Sequence, residues 1–309
     1  MKIFKPKFWE KKNNLISFFL LPLSFFLQLL LELKKNLSKK KNFSIPIFCV
    51  GNIYIGGTGK TPLSIEIVKT IEKMNKKVAI VKKSYSEHAD EFELIKSKQI
   101  TLFKNSSRHN AINEALKNKF DCIVLDDGFQ DFSINKNLNI ICFNEKQLVG
   151  NGMTLPSGPL REPLASLKRC QIIIINGNKN LKFENTIKSI SKNISIYYSK
   201  YLPINVEKFE GQSLLAFAGI GNPSNFFDFL EKNNLKLEKK ISFPDHYEYS
   251  LGELNELIDF SLKNNLKLIT TEKDFFRIKH FKLDEIKYLE LKLEILNKSD
   301  FDGEIVKYL

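Results

Sequence analysis

"YIGGTGKTP", residues 54–62, decides how this chain folds. Gly56, Gly57 and Gly59 crowd ahead of Lys60 and Thr61; the apolar run "IPIFCV" (45–50) leads in, and "TPLSIEIVKTIEKMNK" (61–76) leads out with helical spacing. Thr61 can start that helix and Pro62 suits its first turn. Strand, glycine-rich turn, Lys-Thr and helix is the order a phosphate cradle needs. The glycines let backbone N–H groups turn toward an anion at a helix N-terminus, the lysine neutralises β/γ oxygens, and the hydroxyl can hold Mg²⁺. Gly56, Gly57, Thr58, Gly59, Lys60 and Thr61 are thus candidate nucleotide-binding residues, against the alternative of a tight structural turn. One position departs from G-x-x-x-x-G-K-[ST]: Tyr54 stands where the first glycine belongs, and the nearest earlier glycine is Gly51.

Further along, "KVAIVK" (77–82), "FDCIVLDD" (120–127), "LNIICF" (138–143) and "QIIIIN" (171–176) read as strands buried on both faces. Alternation with helical segments predicts a parallel sheet covered on both sides. "FDCIVLDDGFQ" ends its apolar run in Asp126 and Asp127, with Gly128 opening a turn. A carboxylate at a neighbouring strand end is what organises the magnesium of a P-loop, although paired acids there can be a turn signal alone. A second α/β unit begins near "SLLAFAGIG" (213–221) and continues through a helix, a strand-like "KLEKKISF", another helix and "LKLITT". The polar stretch 177–212 is the expected boundary. The predicted division is an N-terminal segment over 1–44, a P-loop core over 45–210 and a smaller α/β domain over 211–309.

At 309 residues, with 43% hydrophobic and 12% aromatic residues, the chain can bury a sizeable core and is not disordered. The formal charge of +13 is unevenly spread: residues 1–45 carry ten lysines against Glu10 and Glu32, a net of +8, and the remaining 264 residues carry +5. The chain has only four arginines. That distribution argues against nucleic acid and toward a local anionic surface. Cys49, Cys122, Cys142 and Cys170 are scattered in apolar runs without a C-x-x-C, the pattern of buried thiols in a reducing compartment.

"LISFFLLPLSFFLQLLLEL" (15–33) lies between lysine clusters. Its uninterrupted part before Glu32 would be roughly 25 Å long as a helix, short of a hydrocarbon core of about 30 Å, and Pro22 would kink it. It lacks the small-residue cleavage site of a signal peptide. Lysines on both flanks favour docking in the membrane interface, with ammonium groups near anionic headgroups at about 1 kcal/mol each. A spanning helix and a buried soluble helix are the alternatives.

"VGNIYIGGTGKTP", "LDDGFQ", "GNGMTLPSGPLREPLASLKR", "FAGIGNPSNFF", "FPDHYEYS" and "ITTEKDFFRI", in this order, resemble the tetraacyldisaccharide 4'-kinases, membrane-associated lipid A kinases of Gram-negative bacteria. The resemblance runs along nearly the whole chain. It implies a P-loop NTPase-like α/β domain with a smaller α/β domain, ATP and Mg²⁺ as cofactors, and transfer of the γ-phosphoryl group to the 4'-hydroxyl of a tetraacylated glucosamine disaccharide 1-phosphate, giving lipid IVA. It also implies a monomer, peripheral or monotopic on an anionic membrane surface, at the cytoplasmic face of the inner membrane. The family's loop resembles "GNxxxGGxGKTP", whose early glycine is Gly51 here.

Carried over residue by residue, the resemblance gives Lys60 and Thr61 their phosphate and magnesium roles and places Asp126, Gln130 and Glu162 at the metal-nucleotide end. Asp127 and Arg161 would line the same cleft, where Arg161 could offset charge on the transferred group; a surface ion pair is its alternative. The general base would be Asp90 in "HADEFELI" paired with His246 in "FPDHYEYS" across an interdomain cleft. Three departures stand out. "KSYS" (83–86) replaces R-G-Y-G, "ADE" replaces G-D-E at a shorter spacing, and Asp131 stands where a histidine commonly follows "DDGxQ". Two other classes stay open: a membrane-associated P-loop ATPase, which would not need "LPSGPLREP" or "DHY", and a relative of the kinase that holds ATP and lipid without turnover.

Overall fold

The computed structural model describes residues 6–84 and 89–309. Tyr85 and Ser86 of the altered "KSYS" segment lie outside the described residues. The strands are β1 (Ile47–Gly51), β2 (Val78–Lys83), β3 (Leu102–Asn105), β4 (Cys122–Asp126), β5 (Leu138–Asn144), β6 (Ile172–Asn176), β7 (Ser195–Pro203), β8 (Ser213–Ala218), β9 (Lys236–Ser242), β10 (Lys267–Thr271), β11 (Ile286–Leu289) and β12 (Leu291–Ile295). The helices are α1 (Leu15–Phe19), α2 (Leu21–Leu37), α3 (Lys60–Glu72), α4 (Ala89–Ser97), α5 (Arg108–Lys117), α6 (Leu181–Ile190), α7 (Pro223–Lys232), α8 (Leu251–Lys263), α9 (Glu272–Ile278) and α10 (Lys298–Val306).

Eight strands form one sheet in the order β12-β7-β6-β5-β1-β4-β2-β3, and β11-β10-β8-β9 form a second. β1 pairs in parallel with β4 on one side and β5 on the other, and α3 packs against it, so its apolar run is covered at both edges. Every residue of β1 and β4 is buried, which is why their sequences are continuous rather than alternating. The reversal of strand order around β1 leaves a crevice beyond the carboxyl ends of the central strands, where open parallel sheets bind ligands. Close approach there demands glycine at position 51: a Cβ would stand 2.5 Å from the Cβ of Phe129.

The chain divides into two compact units that differ from the predicted division. Residues 6–84, 99–200 and 293–309 form one; α4 and residues 201–292 belong to the other. The last seventeen residues return to the large sheet because β12 supplies its edge beside β7. Phe301 and Ile305 of α10 are fully buried, with Phe301 edge-on to Tyr197. β7 itself lies in the stretch expected to be a polar connection, since "SIYYSKYLP" is mostly half-buried and carries Ser and Lys among its aromatics. α1 and α2 group with the P-loop unit instead of forming a separate segment.

The apolar N-terminal segment, which Pro22 could either kink or divide, forms two helices. It breaks at Leu20, just before Pro22 in the first turn of α2. No described helix is long and apolar enough to cross a membrane. The buried-helix alternative also fails, because the apolar side chains point outward: Phe19 is 84% and Phe25 74% exposed, while Ser17 and Ser24 are the buried residues of these helices.

Replacing Gly51 with alanine should overpack the β1–Phe129 approach and lower the unfolding free energy by about 1–3 kcal/mol. Urea denaturation reads this as a lower midpoint at unchanged slope; an unchanged midpoint would show that the turn after β4 yields freely.

Candidate active site

The loop after β1 is shaped from within. Gly56 and Gly59 take φ of 114° and 94°, values an L side chain resists. Asn52 is fully buried, and its Nδ2 donates to Gly56 O at 3.2 Å and to Thr58 Oγ1 at 3.0 Å. Gly59 begins α3 without a side-chain cap, leaving the N–H groups of the first turn for an anion. Tyr54, the departure from the pattern, is 1% exposed and bridges in antiparallel fashion to Leu160. Ile55 N donates to Pro159 O and Arg161 N to Ile53 O. The backbone on either side of Tyr54 thus fastens the cradle to "LPSGPLREP", and the tyrosine side chain is buried there.

Sheet register brings the acids to this loop. Val50 of β1 and Lys82 of β2 are the neighbours of Asp126 in β4. Thr61 Oγ1 donates to Asp126 Oδ2 at 2.9 Å, and Lys82 Nζ donates to the same oxygen at 2.6 Å. Asp126 is fully buried, and its Oδ1 has no hydrogen-bond partner among the described residues. An orphaned, buried carboxylate oxygen beside a P-loop threonine is the donor set that suits a hard cation such as Mg²⁺. Thr61 and Asp126 therefore fit that ion.

Asp127 follows at a φ of 58°, its backbone N bonded to Val50 O and its carbonyl accepting from Arg108 at 2.7 Å. Its carboxylate takes two contacts from Arg161 at 3.0 and 3.2 Å and lies 3.8 Å from Lys60. Burial opposes its charge, yet Lys60 and Arg161 outweigh that and hold its carboxyl below the usual carboxylate range. The two cations expected at the phosphates are thus drawn to one acid.

Gln130 and Glu162 form a separate pair. Gln130 Nε2 donates to Glu162 Oε1 and to Asn52 O, both at 3.0 Å. Arg169 bonds the other oxygen of Glu162 and stacks 4.1 Å from the Phe129 ring centroid. Of the four expected metal-site residues, Thr61 and Asp126 meet each other, and Gln130 and Glu162 meet each other. Among the described residues no group of three or more His, Cys, Asp or Glu side chains is arranged to hold a metal.

Asp90 and His246 both belong to the smaller unit, not to opposite walls of an interdomain cleft. Asp90 sits in the first turn of α4, 2% exposed, and Glu91 N donates to its Oδ1 at 2.9 Å. Its Oδ2 accepts from Arg277 at 2.6 Å and lies 3.9 Å from His246 Nδ1, within ion-pair range but outside hydrogen-bond reach. His246, at a φ of 54°, is held by its backbone N on Gly219 O. Arg277 also donates to Asp274 at 2.8 Å and to the carbonyls of Gly219 and Tyr247. Asp274, fully buried, accepts from Gly219 N, Thr271 and Tyr249. Burial pushes its carboxyl up despite those partners. Two further ion pairs, Lys273 with Glu91 of α4 and Glu272 with Lys98 just after it, seat this segment on α9. Arg277 is the residue the sequence reasoning missed, though it stands next to last in the quoted "ITTEKDFFRI".

A parallel sheet whose first strand feeds a cradle of this kind places the chain in the P-loop nucleotide-binding class. The family profile described as "LpxK: Tetraacyldisaccharide-1-P 4'-kinase" matches residues 16–101 and 90–309. A tetraacyldisaccharide 4'-kinase of Pelagibacter ubique is 42% identical over 99% of this chain and 98% of its own length. One from Rickettsia canadensis is 31% identical over the same shares. The chain belongs to the tetraacyldisaccharide-1-P 4'-kinase family. The crystal structure of LpxK from Aquifex aeolicus, an apo form in complex with ATP, is similar in fold, with a TM-score of 0.75 at 22% identity over 95% of this chain and 99% of that one.

Arg277→Met should leave two buried carboxylates without their cation and reduce stability by about 3–5 kcal/mol, whereas Arg277→Lys should lose less. Urea denaturation of both variants checks the ranking; equal midpoints would mean that the fork geometry is immaterial.

Proposed function

We propose that the chain transfers the γ-phosphoryl group of ATP to the 4'-hydroxyl of a tetraacyldisaccharide 1-phosphate, forming lipid IVA at a cytoplasmic membrane face. The observation that carries this is the Thr61–Asp126 contact under the glycine-rich loop, in a chain whose family match covers residues 16–309. Backbone N–H groups of Gly56, Gly57, Thr58 and Gly59 would hold the phosphates, with Lys60 neutralising β/γ oxygens. Thr61 and Asp126 would hold Mg²⁺, which would supply positive charge to offset that of the phosphates. Arg161, now on Asp127, has the planar fork suited to a transferring phosphoryl group. Glu162 and Gln130 would brace the loop that carries it.

On the acceptor side, Asp90 would take the proton of the sugar hydroxyl, whose oxygen forms the new P–O bond as the bond to ADP breaks. His246 would orient that carboxylate, and the longer separation of 3.9 Å is consistent with a pair that tightens around substrate. Membrane docking is supported by the outward apolar face of α1 and α2, flanked by Lys11, Lys12, Lys34 and Lys35.

Incubation with γ-labelled ATP and purified tetraacyldisaccharide 1-phosphate tests the activity. Label should appear on the lipid, whereas hydrolysis without transfer would favour an ATPase. Asp90→Asn should lower kcat by roughly 10²–10⁴ with ATP affinity unchanged, and wild-type turnover would move the base elsewhere. The double substitution Phe25→Asp and Phe26→Asp should abolish co-sedimentation with anionic vesicles; full pelleting would assign docking to another surface.

A further inference from the structure

Lys82 is an interior lysine at the carboxyl end of β2, 6% exposed. In-register parallel pairing sets it beside Asp126 on the same face of the sheet. Its ammonium lies 2.6 Å from Asp126 Oδ2 and 3.5 Å from Thr61 Oγ1. A buried pair of this kind adds little stability over apolar residues of similar volume, so its location calls for a second reason. The two groups it touches are the ones that fit the metal of a P-loop. A divalent ion bound to the Thr61 hydroxyl would have a like charge as a near neighbour, while a triphosphate reaching the same hydroxyl would meet one more cation.

We propose that Lys82 is a resident cation of the phosphate site: it neutralises Asp126 in the absence of metal, disfavours binding of Mg²⁺ by itself, and lets ATP bind without the ion. Asp126 is thereby held in place by the chain's own charge, and its Oδ1, without a partner among the described residues, is left over for whatever arrives with the nucleotide. The inference deepens the ATP-binding assignment of this loop and rests on it.

Isothermal titration of the full chain with ATP, once in EDTA and once in excess Mg²⁺, separates the two claims. The dissociation constants should lie within about tenfold of each other. Binding only with Mg²⁺, with a loss of a hundredfold or more in EDTA, would overturn the role of Lys82 and leave the ATP site standing; no binding in either buffer would overturn the ATP site itself. Lys82→Met should then weaken binding in EDTA by at least tenfold more than in Mg²⁺. Equal weakening in both buffers, or none, also overturns the proposal. Should the variant fail to fold because Asp126 is left unpaired, the wild-type comparison alone decides the outcome.

Discussion

The contact of Thr61 with Asp126 governs this molecule. It ties the first turn of α3 to the end of β4 and so closes the glycine-rich loop over the carboxyl edge of the sheet. Around it the neighbouring strands supply charge: Lys82 from β2, and Asp127 from the turn just beyond β4. Each of these groups is buried or half-buried, and burial makes a misplaced charge expensive. Register is therefore not free to slip, because one residue of shift in β2 or β4 would turn the paired side chains to the opposite face.

The chain's cations follow a division of labour. Lysine dominates, and most of it is solvated or flanks the apolar N-terminal helices. The four arginines all lie at acids of the two candidate sites or beside them: Arg108 on Asp131 and the Asp127 carbonyl, Arg161 on Asp127, Arg169 on Glu162, Arg277 on Asp90 and Asp274. A planar fork that donates in fixed directions can serve two acceptors at once, which a single ammonium on a flexible stem does less well. In a composition so biased toward lysine, the positions that remain arginine mark where geometry matters.

Much of this was readable from residues alone. The runs at 45–50, 77–82, 120–127, 138–143 and 171–176 are strands because no polar face interrupts them, and the P-loop announced itself by its order of glycines, lysine and threonine. What escaped was set by partners distant in sequence. β12 is an edge strand and β7 lies next to it, both with half-exposed faces, and so they lack a continuous apolar run. The grouping of α4 with residues 201–292 depends on ion pairs to α9, and separations of well over a hundred residues leave no periodic trace. Lys82 drew no notice within its run, because nothing local distinguishes a buried lysine from an exposed one. Gln130 and Glu162 could be named by resemblance, but only the fold shows them bonded to each other, and Glu162 to Arg169.

The N-terminal helix pair is amphipathic in reverse. Its protein-facing side is polar: Ser24 shares hydrogen bonds with Ser157 and Thr154, Asn151 donates to Ser17, and Gln28 reaches the carbonyl of Arg161. The segment it grips continues by backbone bonds into the phosphate loop. A seat made of shielded polar bonds gains nothing from water's aversion to hydrocarbon. A change of solvent on the far side of the pair therefore leaves these bonds untouched, and the pair stays clasped to the segment that carries the phosphate loop.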